Sequence, residues 1–185
     1  MSDALRIEAI LRSDPVRWHL LGVVAELALP DCWIGAGFVR NAVWDSLHGR
    51  APGPLLGDID VIWFDPDHSD AERDRNIEET LRAAAPSVDW SVKNQARMHL
   101  RNGDAPYLSA TDAMRYWPET ATAVAARRHN SDQCEVASPL GLDDLFDLIL
   151  RPTGRFVVEK RNIYDERIQS KDWIGKWSLL KNATP

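Results

Sequence analysis

Apolar residues in the opening segment recur at spacings of three and four: Leu5, Ile10, Leu11, Trp18, Leu21, Val24 and Leu27 fall between Ala4 and Ala28. That period predicts one or two amphipathic helices, divided near Ser13-Asp14-Pro15, because proline is tolerated at a first helical position. The pattern then shortens. The stretch from Asp31 to Gly37 holds the apolar run Cys32-Trp33-Ile34 and ends in Gly35-Ala36-Gly37, and helical spacing resumes from Phe38 to His48, which reads as strand, tight turn and helix. A proline- and glycine-rich loop from Arg50 to Gly57 leads to Asp58-Ile59-Asp60-Val61-Ile62-Trp63-Phe64, whose β-branched and aromatic content marks a second strand.

Further along, Asp70 to Ala85 is polar and alanine-rich with Ile77 and Leu81 four apart, which predicts an exposed helix, and Val88 to Asn94 is a third strand candidate. Ser109 begins a helix as a capping residue. Thr120 to Arg127 and Cys134 to Ala137 are two more short strand candidates around a polar turn. Gly141 to Leu150, with Leu142, Leu145, Phe146 and Ile149 on one face, predicts a helix, and Phe156 to Leu180 an irregular final helical region. With no repeat or low-complexity tract, residues 1–185 are expected to form one α+β domain: a mixed sheet flanked by helices, its core at about 31–150, with helical extensions at both ends.

Composition narrows the class. The chain is 44% hydrophobic and 27% charged with eight tryptophans, which is globular rather than disordered composition. No run approaches the roughly 18 apolar residues of a membrane span, and Arg6, Glu8 and Arg12 interrupt the N-terminal apolar positions, so neither a membrane anchor nor a signal peptide is expected. Cys32 and Cys134 have no partner at metal-ligand spacing and read as reduced core residues of a cytoplasmic protein. A formal net charge of −6 argues against general nucleic-acid binding, which needs basic patches, but excludes neither a local basic pocket nor docking on one specific RNA.

Two features carry candidate chemistry. Gly35-Ala36-Gly37 stands at a strand-to-helix junction, where backbone N–H groups can approach an anion with the help of the helix dipole; the plainer reading is turn geometry. Asp58 and Asp60 flank Ile59, so strand alternation puts both carboxylates on one face. Like charges so placed repel, and a bound divalent cation relieves them; the plainer reading is a solvated strand end. Together, a phosphate cradle facing a Mg²⁺ site is what phosphoryl or nucleotidyl transfer needs.

Four segments in order, Trp33 to Asp45, Asp58 to Val61, Val92 to His99 and Trp117 to Val124, resemble a bacterial nucleotidyltransferase family of the DNA polymerase β-like superfamily. The resemblance runs from about Trp33 to Trp177. It implies an enzyme that attaches a nucleoside monophosphate from a nucleoside triphosphate to an acceptor hydroxyl and releases pyrophosphate. The acceptor is a small molecule, a protein or an RNA end. It implies further that Gly35 and Gly37 hold the triphosphate and that Asp58 and Asp60 ligate two Mg²⁺ (or Mn²⁺) ions, with Asp89 as candidate third acid. The family turn more commonly carries serine in its second half. Here Ala36-Gly37-Phe38 offers backbone amides alone. Asp89 points either inward, as general base or metal ligand, or outward to solvent. Arg40 either neutralises phosphate or forms a surface salt bridge, and Lys93 either reaches the cleft or is a solvated strand lysine. Arg97 and His99 are weaker candidates, Asn41 a backbone-bonding residue, Trp117 a buried turn indole, and Trp173 with Trp177 core contacts of a terminal helix. Two other readings compete: a nucleotide-binding or protein-interaction module that keeps the fold without turnover, and a phosphohydrolase, which leaves the glycine turn without a role.

Overall fold

The computed structural model describes residues 1–129 and 133–183. Helices α1 (Asp3–Ser13) and α2 (Pro15–Ala25) are separated by Asp14, whose carboxylate caps α2 by accepting the N–H groups of Val16 and Arg17 at 3.0 Å, with Pro15 in the first turn. Strand β1 (Trp33–Gly35) passes through Ala36 into α3 (Gly37–Leu47), and a loop leads to β2 (Ile59–Trp63). Helix α4 (Ala71–Ala84), capped by Asp70, is followed by β3 (Trp90–Asn94), α5 (Gln95–Asn102) and α6 (Ala110–Met114), the last capped by Ser109. Then come β4 (Ala125–Arg128), β5 (Cys134–Ala137), α7 (Asp143–Phe146), β6 (Ile149–Leu150), α8 (Arg161–Lys171), α9 (Trp173–Lys176) and β7 (Lys181–Asn182).

The main sheet has the order β3-β2-β1-β4-β5, with β2 and β3 parallel and the other neighbours antiparallel. This is the mixed α+β architecture expected from the element order. Alternation along β2 decides what faces where. Ile59, Val61 and Trp63 enter the larger core with Phe38, Val39 and Val43 of α3, whereas Ile62 joins a smaller cluster with Trp33, Ala110 and Met114 on the opposite face. Asp60 has the parity of Ile62, so it leaves the sheet on that second face. The loop before it is held by Arg17, only 1% exposed, whose guanidinium donates to the carbonyls of Phe38 and Gly53 and pairs with Asp14.

Several elements differ from the sequence expectation. Thr120–Thr122 forms a 3-10 turn and the strand starts only at Ala125: the Thr120 N–H goes to the Arg151 carbonyl and the Thr122 and Ala123 N–H groups turn back to Glu119 and Thr120, while the two threonine hydroxyls are tied to Asp144 and Arg40. The expected helix from Gly141 to Leu150 shrinks to the four residues of α7. Leu148 then turns to φ 60°, ending helical geometry and starting β6. The C-terminal region is broken at Asp172, φ 47°, one of the few side chains that tolerate the left-handed region. Helix α5 and the parallel β6–β7 pair are additions. The polar turn expected before β5 includes residues 130–132, which lie outside the described residues. Among the described residues no helix is long and apolar enough to cross a membrane. Both cysteines are free and half-buried, with burial pushing the Cys32 thiol up to about 12.

Candidate active site

The turn between β1 and α3 is built by its three small residues. A Cβ on Gly35 would come within 2.9 Å of the Trp117 indole, so that glycine lets the ring pack against the strand end. Ala36 donates its N–H to the Val124 carbonyl at 2.9 Å and adopts φ 53°, ψ −125°, a conformation costly for any residue with a Cβ. As the N-cap of α3 it has no side-chain oxygen to satisfy the helix's first N–H groups, which leaves them for an anion. A Cβ on Gly37 would stand 3.4 Å from Asn41 Nδ2 and 3.5 Å from Arg40 Nη2, over the two polar side chains at the floor of the cleft.

Around this turn lies a cleft of about 350 Å³ lined by Ala36, Gly37, Arg40, Asn41, Asp58, Asp60 and, from the far end of the chain, Arg167, Lys171, Trp173, Lys176 and Trp177. Arg40 is 4% exposed. Its Nη1 donates to Thr122 Oγ1 at 2.7 Å, its Nε and Nη2 donate to Asn41 Oδ1 at 3.2 and 3.0 Å, and it stacks over Trp173 and Trp44 at 4.3 and 4.8 Å from the ring centroids. It is therefore a buried cation with neutral hydrogen-bond partners rather than half of a surface salt bridge. Burial, opposed by Glu119, brings its pKa down to about 10, and it remains charged. Asp60 is pushed up to about 6, first by burial and then by the neighbouring Asp58; Arg167, Arg40 and Lys171 pull the other way.

Asp89 and Lys93 are not brought into this cleft. Asp89 precedes β3 with its side chain exposed and its carbonyl accepting the Ile59 N–H at 2.7 Å, and the β3 residue beside Asp60 is Ser91. Lys93 turns to Glu78 of α4 at 3.1 Å. Arg97 pairs with buried Asp74 at 2.5 Å, and His99 packs edge-on against Tyr107. Trp173 and Trp177 are 4% and 2% exposed. They pack edge-on against Trp44, and Trp177 Nε1 donates to Asp45 at 2.8 Å, so they are at once core residues and cleft wall.

A nucleotidyltransferase family profile matches residues 22–182. The chain belongs to that nucleotidyltransferase family. The chain is 34% identical to a protein whose NMR structure is described as revealing a CCA-adding enzyme head domain, with a TM-score of 0.85 over 99% of this chain and 97% of that one. It shares its fold with a tRNA-processing enzyme in an apo form (17% identity, TM-score 0.53) and with a CCA-adding enzyme in an apo form (15%, 0.53). It covers 44% and 39% of those two longer chains, and 89% and 90% of its own length takes part. No curated protein matches it.

The family implies a divalent metal ion, and the cleft offers Asp58 and Asp60 as its protein donors. Among the described residues no group of three or more His, Cys, Asp or Glu side chains is gathered for a metal. Mg²⁺ does not need one, since it is commonly bound through one or two carboxylates plus substrate phosphates and waters. Asp58 and Asp60, two carboxylates lining one cleft, fit that mode. Arg167, Lys171 and Lys176 were missed by sequence reasoning. The available signal was their concentration: from Arg151 to Lys181 the chain carries eight basic and four acidic residues, although its net charge is −6.

Proposed function

We propose that this nucleotidyltransferase transfers a nucleoside monophosphate from a nucleoside triphosphate to an acceptor hydroxyl, with release of pyrophosphate, and that Asp58 and Asp60 hold the two divalent ions that the reaction uses. One observation carries the reading: the two carboxylates share a cleft with the uncapped start of α3 and with four cations, Arg40, Arg167, Lys171 and Lys176. That excess of positive charge is what a polyphosphate neutralises. The first N–H groups of α3 and the Arg40 fork hold and orient phosphate oxygens, and Thr122 and Asn41 fix the plane of that fork. Ions held by Asp58 and Asp60 would supply charge neutralisation on the leaving pyrophosphate and a lower pKa for the acceptor hydroxyl. The chain's own part is to fix those groups and to exclude water behind Trp173 and Trp177.

The relative described as a CCA-adding enzyme head domain makes an RNA end the first acceptor to test. Incubating the protein with each labelled triphosphate, Mg²⁺ and an RNA pool, a metabolite pool or a protein lysate should give pyrophosphate and a nucleotidylated product. The absence of product from every pool, with triphosphate binding intact, would defeat the transfer reading. It would favour a nucleotide-binding module instead, a second reading favoured by Ser91 beside Asp60 and by Asp89 facing solvent.

A further inference from the structure

Glu119 has no exposure, yet it is a carboxylic side chain paired with a member of the cleft's cationic wall. Its Oε1 accepts the Nε–H of Arg167 at 2.7 Å, while its Oε2 is buried with no hydrogen-bond partner among the described residues. The segment that carries it is fixed on both sides: Glu119 bridges to Pro152, Thr120 donates to the Arg151 carbonyl at 3.0 Å, and the next turn places Thr122 on Arg40. A fully buried carboxylate with one oxygen unsatisfied, paired with a half-buried arginine, is a poor device for stability, because burying a carboxylate costs free energy that an incomplete set of partners does not return. What it does well is set direction. With Nε engaged behind it, the two terminal nitrogens of Arg167 have no hydrogen-bond partner among the described residues, and Arg167 lines the cleft. Lys171 lies one turn further along the same face of α8 and also lines the cleft, its ammonium without a hydrogen-bond partner among the described residues while its carbonyl accepts from Lys176 Nζ at 3.2 Å.

The α3 start and Arg40 suffice for a single phosphate group. Two further cations from α8 have a task only if the ligand carries more. Resting on the functional reading above, we propose that α8 reads the length of the polyphosphate: Arg167 and Lys171 contact the phosphates beyond the first, and Glu119 is the positioning residue that aims the Arg167 fork. Selection of triphosphates over monophosphates thus resides in α8, whereas the turn and Arg40 hold both.

The test is calorimetric titration, with Mg²⁺, of the four ribonucleoside triphosphates and the four matching monophosphates. Arg167→Lys keeps a charge but loses the fork held by Glu119, and Glu119→Gln keeps an acceptor but loses the charge. Each should weaken triphosphate affinity by roughly tenfold or more while changing monophosphate affinity by less than about threefold. The double variant Glu119→Gln/Arg167→Met removes both charges. It should melt close to the parent and still show the lost preference, which a merely structural pair would not do. Equal losses for mono- and triphosphates, or a double variant with parental discrimination, would overturn the proposal. If the parent protein binds none of the four triphosphates, the functional reading falls, and this inference with it.

Discussion

Replacing Asp60 by asparagine should stabilise the metal-free protein, and only above a definite pH. The folded chain holds the Asp60 proton up to about pH 6 against an ordinary value of 3.8, chiefly because the carboxyl is buried and secondarily because Asp58 stands two residues away. Between those values the unfolded chain has released a proton that the folded chain keeps, so Asp60 contributes a loss of stability as the pH rises through that window, complete above it. At about 1.4 kcal/mol per pKa unit, the ceiling is about 3 kcal/mol. Water reaches part of the side chain, so a realistic gain is about 1–2 kcal/mol, or several degrees in Tm at about 2–4 °C per kcal/mol. Thermal melts of parent and Asp60→Asn in chelator, from pH 4 to 7.5, isolate the effect by difference. That difference matters because Asp65, Asp70, Glu78, Glu135 and Glu159 have lowered values and drive stability the opposite way on acidification. The two curves should meet near pH 4 and part by pH 7, and millimolar Mg²⁺ with a triphosphate should raise the Tm of the parent more than that of the variant. A gap that is the same at both ends of the range would refute the assignment of a raised Asp60.

Other outcomes follow from the same geometry. Ala36→Gly should raise stability by about 1 kcal/mol in chemical denaturation, since relief of a strained φ outweighs the entropy glycine adds to the unfolded chain; a destabilised variant would show the turn is unstrained. Gly37→Val should fold but bind triphosphate at least tenfold more weakly by calorimetry, because its side chain covers Arg40 and Asn41. Asp58→Asn should lose about a hundredfold or more in pyrophosphate release, whereas Asp89→Asn, exposed and outside the cleft, should change it by less than about threefold; a comparable loss would make Asp89 the third acid. Trp177→Phe removes the donor to Asp45 and should cost about 1–3 kcal/mol in equilibrium unfolding.

What the sequence revealed of this molecule depended on how local the cause was. The break at Asp14-Pro15, the β1 turn and the alternation around Ile59 are decided within a few residues and could be read directly. The resemblance carried by four ordered segments pointed to the family that the profile match establishes. The failures have non-local causes. Thr120 and Thr122 look like strand residues until Asp144 and Arg40 arrive from elsewhere in the chain. Two-residue strands such as β6 and β7 have no periodicity to detect. Arg167, Lys171 and Lys176 lie in a region whose apolar and charged positions alternate irregularly, and nothing near them in sequence says that they face Asp60.

That separation along the chain has a consequence for how the protein comes into being. One wall of the cleft is made of residues 36–60 and the other of residues 167–177, joined through Trp44, Trp173, Trp177 and Asp45. During synthesis, at about 5–20 residues per second, the ribosome delivers the carboxylates and the turn several seconds before the cations that face them. Until residue 177 has emerged, the nascent chain has half a cleft: Arg40 lacks the Trp173 face, and Asp60 lacks Arg167 and Lys171. The cleft is therefore completed only after residues 167–177 have emerged, and a chain stalled before them lacks the cationic wall that faces Asp60.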